Sequence, residues 1–352
     1  MKKIFFKKPS KLSFGDKIAI VSPSSGAAFL FPWVYELGLQ RLQDELGLVP
    51  IVFPTALQSP AFLSKNPQAR ADDINRAFAD PEIKAILVTT GGNDEIRILP
   101  YLNADIISAH PKIFLGYSDH TNMHLFLYGL GMVSYYGCSV MSQLAMQGSM
   151  HDYTKKYLQK VLFESNIGEI QNALEWTDVD LDWAKKENLS KMRPMQKSPG
   201  WIWHNAQNKK ITGRLFGGCL EILELHMAAQ AYMPASEHFD DMVLYFETSE
   251  ELPSAGFVYR FLAALAERGL LQRIKALLVA IPKTQFMNNV PSRERENFMI
   301  AQRNAILQVL ADYKIDSLPV VFNLHFGHVD PQFIIPNGGE VIIDGIQKRI
   351  VF

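Results

Sequence analysis

Cysteine is nearly absent: Cys138 and Cys219 are the only two among 352 residues. A disulfide framework is therefore not the basis of stability, and a reducing compartment is expected. Neither sign of charge is in excess. The 35 basic and 36 acidic residues leave a formal net charge of −1, which gives no electrostatic footprint for nucleic acid or an anionic membrane. Long apolar runs are missing as well. Met1-Lys-Lys-Ile-Phe-Phe-Lys-Lys8 begins basic, like a signal peptide, but Lys7 and Lys8 end its short apolar run. No stretch approaches the roughly 20 apolar residues that span a bilayer. The His-Glu-x-x-His spacing of a metalloprotease is also absent. These absences describe a cytoplasmic protein with no nucleic-acid or membrane partner, acting on a small or peptide-like molecule.

What is present is ordinary for a soluble globular chain, with 48% apolar and 20% charged residues. The length suits two domains. Short apolar runs predict strands at 17–22, 49–53, 83–89 and 112–115, alternating with helical patterns at 33–45, 69–79, 94–102 and 121–128. That β-α-β rhythm predicts an N-terminal, mostly parallel, flavodoxin-like sheet flanked by helices over residues 1–165. Residues 166–210 read as an irregular connection holding Trp176, Trp183, Trp201 and Trp203. Patterning resumes at Ile211, with strands at 213–216, 242–246, 276–280, 319–324 and 340–343. Gly217-Gly218 reads as a turn, and helices follow at 219–230, 257–268 and 293–313. A smaller C-terminal α/β domain over 211–352 is the expectation.

Ligands of open parallel sheets bind beyond the C-terminal strand ends, and four segments put chemistry there. Gly116-Tyr-Ser118-Asp-His120 runs from strand to turn to helix, as a nucleophile elbow does, although His120 stands where a second glycine is usual. Ser118 or Asp119 capping the next helix is the alternative. Gly91-Gly92 after a strand exposes backbone N–H groups that suit an oxyanion hole, a phosphate or simply a tight turn. Glu247 ends an apolar strand and suits either an acid that orients a histidine or a solvated loop acid beside Glu250 and Glu251. His325 and His328 follow a strand at a spacing that makes no convincing zinc pair. Either suits a general base or a hydrogen-bonded structural role, the structural role more so for His325.

Several segments occur in an order that resembles one family. They are Lys17-Ile-Ala-Ile-Val-Ser, Gly91-Gly-Asn-Asp94, Gly116-Tyr-Ser-Asp-His-Thr121, Gly213-Arg-Leu-Phe-Gly-Gly218, Phe246-Glu247 and Gly327-His-x-x-Pro331. The chain resembles the LD-carboxypeptidase and microcin C immunity family of serine peptidases over nearly its whole length. The resemblance implies an N-terminal domain with the serine, a C-terminal domain with the glutamate and histidine, an active site between them, and a homodimer. It implies Ser118 as nucleophile, His328 as general base and Glu247 as its orienting acid. The N–H groups of Gly92 and Asp119 would form the oxyanion hole, with Gly91 beside them as a substrate-binding residue. No metal or organic cofactor is implied. One departure stands out: Cys219 occupies a position that is commonly asparagine in the family, where it would alter substrate binding while leaving the triad intact.

Two branches of the family are open. One removes terminal D-alanine from murein tetrapeptides; the other hydrolyses peptidyl- and aminoacyl-nucleotides of the microcin C kind. The tryptophan-bearing stretch resembles the second. Trp183 is its candidate for stacking on a nucleobase, a contact worth on the order of 1–3 kcal/mol, or else it packs the loop. A non-catalytic protein that binds a nucleotide or sugar through Gly91-Gly92 is the alternative from another class.

Overall fold

The structure, a computed structural model, describes residues 5–352; residues 1–4, where the basic start lies, are outside the described residues. The chain divides into two units. Residues up to Ile167, Leu181–Arg193 and Phe333–Gly338 make the first, and Gly168–Asp180, Pro194–Gln332 and Gly339–Phe352 make the second.

In the first unit, β1 (Lys17–Val21), β2 (Val49–Val52), β3 (Ile83–Val88), β4 (Ile113–Gly116) and β5 (Ser134–Tyr136) pair in the order β2-β1-β3-β4-β5, all parallel. That is the flavodoxin-like order. Helices cover both faces of such a sheet, so its inner strands are apolar throughout rather than alternating. All of β4 is buried, and so is β3 apart from Lys84. Each fully buried valine, leucine or isoleucine contributes about 1.5–3 kcal/mol. The edge strand β2 carries Pro50, tolerated because an edge position leaves one side of the backbone without a ladder.

The second unit begins with β6 (Glu169–Ile170), followed by a two-stranded ribbon of β7 (Glu175–Trp176) and β8 (Gln196–Lys197). Next come β9 (Ile202–His204), β10 (Lys210–Cys219), β11 (Met242–Glu247), β12 (Ala276–Ala280) and β13 (Val320–Leu324). The chain then supplies β14 (Ile335–Asn337) to the first unit, antiparallel to β5. It returns for β15 (Glu340–Asp344) and β16 (Arg349–Val351). The eight-stranded order is β6-β16-β15-β10-β11-β12-β13-β9. Its centre, β10 to β13, is parallel, and Cys219 and Glu247 end neighbouring strands in register.

Two expectations change. Gly217-Gly218 is no turn: both residues continue β10, paired with Tyr245 and Phe246. A Cβ at Gly217 would lie 1.7 Å from the Tyr245 carbonyl oxygen, so close strand approach, not chain reversal, requires the glycine. The tryptophan-bearing stretch, expected to be an irregular connection, instead carries the short strands β6 to β9, because pairing with distant strands orders segments too short to show a period, and its residues serve two bodies. Leu181–Arg193 belongs to the first unit and its flanks to the second; Arg193 donates to the Gln147 side chain, and Trp176 packs on Ile281 and Val329. No helix among the described residues is long and apolar enough to cross a membrane.

Candidate active site

On the first unit, three strand ends converge around Ser118. The residue leaves β4 with φ at 65°, a left-handed conformation that costs a serine about 1–3 kcal/mol and is characteristic of functional sites. Its N–H donates to the Tyr136 hydroxyl at 3.1 Å, and its carbonyl accepts from Thr121 Oγ1 at 2.7 Å. The following helix, Thr121–Gly129, starts only after His120. Asp119 does not cap that helix. Its buried carboxylate accepts from Ser24 Oγ, from the backbone N–H of Asp94 and Glu95 at 3.1 and 3.0 Å, and from Asn122 Nδ2 at 2.9 Å.

The Gly91-Gly92 loop lies against this turn. A Cβ at Gly91 would sit 3.2 Å from Ser118 Oγ and 3.8 Å from the Asp119 nitrogen, and one at Gly92 would sit 2.3 Å from Ser24 Oγ. Two buried polar groups that sequence reading passed over hold the loop. The His120 ring fills the space beside Gly116, with Nε2–H donating to the Thr90 carbonyl at 2.9 Å and Nδ1 facing Glu95 Oε1 at 2.9 Å. Burial pushes the Glu95 carboxyl up to about 7 against the pull of His120. For the imidazole, burial works against charge but the Glu95 carboxylate overrides it and raises the pKa. Arg70, with no exposed surface, donates to the carbonyls of Pro23 and Ser24 and grips both oxygens of Asp94. Arg70 and Glu95 sit among other polar and charged residues, so the sequence around them carried no signal for these groups.

Trp183 is half-buried in the first unit. Its carbonyl accepts from the Trp33 indole at 2.8 Å, and its ring meets Phe31 edge-on at 5.9 Å. Lys186 stands 4.6 Å over the Trp33 ring.

On the second unit, Glu247 and His328 are hydrogen-bonded, with Nδ1 2.7 Å from Oε2. Gly327 makes this contact possible: its φ is 80°, and a Cβ there would stand 2.3 Å from Glu247 Cγ. On the far side of the ring, His328 Nε2 lies 3.0 Å from Glu250 Oε2. Burial disfavours the imidazolium, but the two carboxylates prevail and raise His328 well above the usual histidine range. For Glu250, burial would raise the carboxyl; His328, with help from Lys283, instead holds it down at about 2.

Cys219 is buried beside these groups, its Sγ 3.3 Å from Glu221 Oε2. Burial first, then the Glu247 and Glu221 charges, push the thiol well above its usual range. It is therefore protonated and a poor nucleophile. Glu221 also accepts from the Ser249 N–H and hydroxyl. His325 has no exposed surface, is bonded to Ser198 at 3.2 Å, and is lowered by burial to about 4, which suits a structural role. Among the described residues, no group of three or more histidines, cysteines or carboxylates could hold a metal ion.

Residues 18–137 match the LD-carboxypeptidase N-terminal domain, and residues 212–343 match the LD-carboxypeptidase C-terminal domain. The Bacillus subtilis protein YocD is 30% identical over 338 residues, covering 96% of both chains. The microcin C7 self-immunity protein MccF of Escherichia coli is 24% identical over 96% of this chain and 93% of its own. An MccF-like protein from Streptococcus pneumoniae, crystallised in complex with AMP, superposes with a TM-score of 0.84 at 31% identity. That alignment covers 96% of this chain and 98% of the other. With both domain matches in chain order and full-length relatives at this identity, the chain belongs to the LD-carboxypeptidase family.

Proposed function

We propose that this protein is a serine hydrolase that cleaves the amide link of peptidyl- or aminoacyl-nucleotides through an acyl-enzyme. The observation that carries the reading is Ser118 at φ 65° with Gly91 against its hydroxyl. A helix-capping serine needs no such strain. In this reading Ser118 Oγ attacks the scissile carbonyl while His328 takes its proton, and Glu247 fixes the tautomer and stabilises the imidazolium. The N–H groups of Gly92 and Asp119 stabilise the tetrahedral oxyanion, a contribution typically worth about 2.7–4 kcal/mol per donor. His328 then gives the proton to the leaving nitrogen, the acyl–serine ester forms, and water attacks it with the same histidine as base.

The nucleotide part of the proposal draws on the AMP complex of the Streptococcus pneumoniae relative and on the Phe31, Trp33 and Trp183 cluster. Trp183 is the residue assigned to the base, and Cys219 is assigned to the acyl side through its place beside Glu247. The second reading, removal of D-alanine from murein tetrapeptides, is favoured by the family descriptions of both domains.

A fluorophosphonate probe should label Ser118, and His328→Ala should abolish labelling. No labelling of the wild-type protein would leave a non-catalytic nucleotide- or sugar-binding protein. Purified protein should hydrolyse an aminoacyl sulfamoyl adenylate; turnover of a murein tetrapeptide alone would refute the nucleotide assignment. The homodimer of the resemblance is part of the proposal and is read by sedimentation.

A further inference from the structure

A histidine that serves as base needs a lone pair on the nitrogen that faces the serine. Here both ring nitrogens of His328 face carboxylates, Glu247 at 2.7 Å and Glu250 at 3.0 Å. Carboxylates only accept, so both nitrogens donate and the ring is a full imidazolium. The two acids are not equivalent. Glu247 ends a central strand, its side chain is 1% exposed, and Gly327 is packed onto it. Glu250 lies three residues on, in a loop, with a side chain 42% exposed. One partner is packed in place; the other is the more exposed of the two.

We infer that Glu250 is a displaceable latch on the catalytic base, released when its carboxylate takes up an ammonium group of the substrate. The inference rests on the proposed serine-hydrolase reading. The charges around the latch point to a cation. Glu247, Glu250 and Glu221 supply three carboxylates, with the Cys219 thiol protonated beside them. The positive groups acting on Glu250 are His328 itself and Lys283, which is committed to Asp180 at 2.6 Å and to the Asp178 carbonyl, and Arg303 lines the pocket beside Glu247. Once Glu250 leaves His328, a substrate ammonium supplies its missing counter-charge. The α-ammonium of an aminoacyl group is adjacent to the scissile carbonyl, so the same event recognises the substrate and returns a lone pair to Nε2. No bond is made or broken in the exchange.

The test compares the full-length wild type with Glu250→Gln, and Glu250→Ala as a second variant, after melting curves establish that each is folded. The His328 ring is titrated by NMR with isotope-labelled histidine, assigned through His328→Gln. Removing one close opposite charge lowers a pKa by roughly 1–3 units, and the low end is expected for a half-exposed acid. The variant should therefore titrate about one unit below wild type, and a neutral fluorophosphonate should label its Ser118 up to about tenfold faster near neutrality. Wild type should prefer an aminoacyl sulfamoyl adenylate over its N-acetylated form in kcat/KM, and the variant should lose that preference. An unmoved His328 titration, or slower labelling in both variants at every pH, overturns the latch. Absence of labelling in all proteins, with the titration shifted, overturns the hydrolase reading and leaves the Glu250–His328 contact supported.

Discussion

The contact between the glycine loop and the Ser118 turn can be tested without any substrate. A Cβ added at Gly92 would lie 2.3 Å from Ser24 Oγ, with Ser25 Cβ and the Ser25 nitrogen both at 3.2 Å. Ser24 cannot yield cheaply, because its hydroxyl donates to the buried Asp119 carboxylate. If it rotates away, Gly92→Ala loses a hydrogen bond to a charged group, about 1.5–3 kcal/mol. If it stays, overpacking costs about 1–3 kcal/mol. Ser24→Ala loses the same bond but opens the space that the new methyl needs. The double variant should then fall about 2 kcal/mol below wild type rather than the roughly 4 kcal/mol of a simple sum, a coupling within the about 0.5–3 kcal/mol seen for residues in contact. Urea unfolding of the four proteins, with midpoint and slope fitted separately, reads this directly. Losses that add to within about 0.5 kcal/mol would refute the claimed contact.

Gly327→Ala should be far more damaging than its size suggests. The new methyl would enter the Glu247 side chain, and the residue would be held at φ 80°; a loss of at least about 2 kcal/mol is expected from overpacking and backbone strain together. Ser118 labelling should fall with it, and a variant that labels at the wild-type rate would contradict the role given to the Glu247–His328 pair. His124 carries a pH prediction. Its Nε2–H donates to the Gly116 carbonyl, its Nδ1 faces Ser134 Oγ, and burial lowers it to about 3 from an ordinary 6.5. The unfolded chain therefore binds more protons below pH 6.5. The stability from this residue is complete above that pH and is lost on acidification, at about 1.4 kcal/mol per unit. Between pH 7 and 5 the His124 contribution should fall by about 2 kcal/mol, and a His124→Leu variant should show a flatter slope of stability against pH. An identical slope in the variant would sink the assignment.

The parallel strands were legible because sheets buried on both faces demand continuous apolar runs, and 17–21, 83–88 and 276–280 have them. Ser118, Gly91-Gly92, Glu247 and His328 stood out as candidates because each lies at or just beyond the end of an apolar strand, β4, β3, β11 and β13. The turn assigned to Gly217-Gly218 failed for a physical reason: glycine serves both reversal and close approach, and only the neighbouring Tyr245 carbonyl distinguishes them. The Glu95–His120 pair, Arg70 and Glu250 were opaque for another reason. Their meaning lies in partners distant in sequence or, for Glu250, in an acid that reads as solvent-facing until His328 is placed beside it. The three-residue strand β14 was too short to carry a period at all.

That short strand bears on how the chain is made. Tyr136 pairs with Ile335, and Asn337 donates to the His124 carbonyl 213 positions earlier. During synthesis the first five strands emerge early and can align, yet their sheet keeps an open edge at β5 until β14 has been made. An open edge is a template for unwanted pairing, and contacts this distant in sequence form slowly. A fragment ending at residue 165 would hold that edge open permanently. The sheet begun first is thus finished only after most strands of the second unit, β6 to β13, have been made.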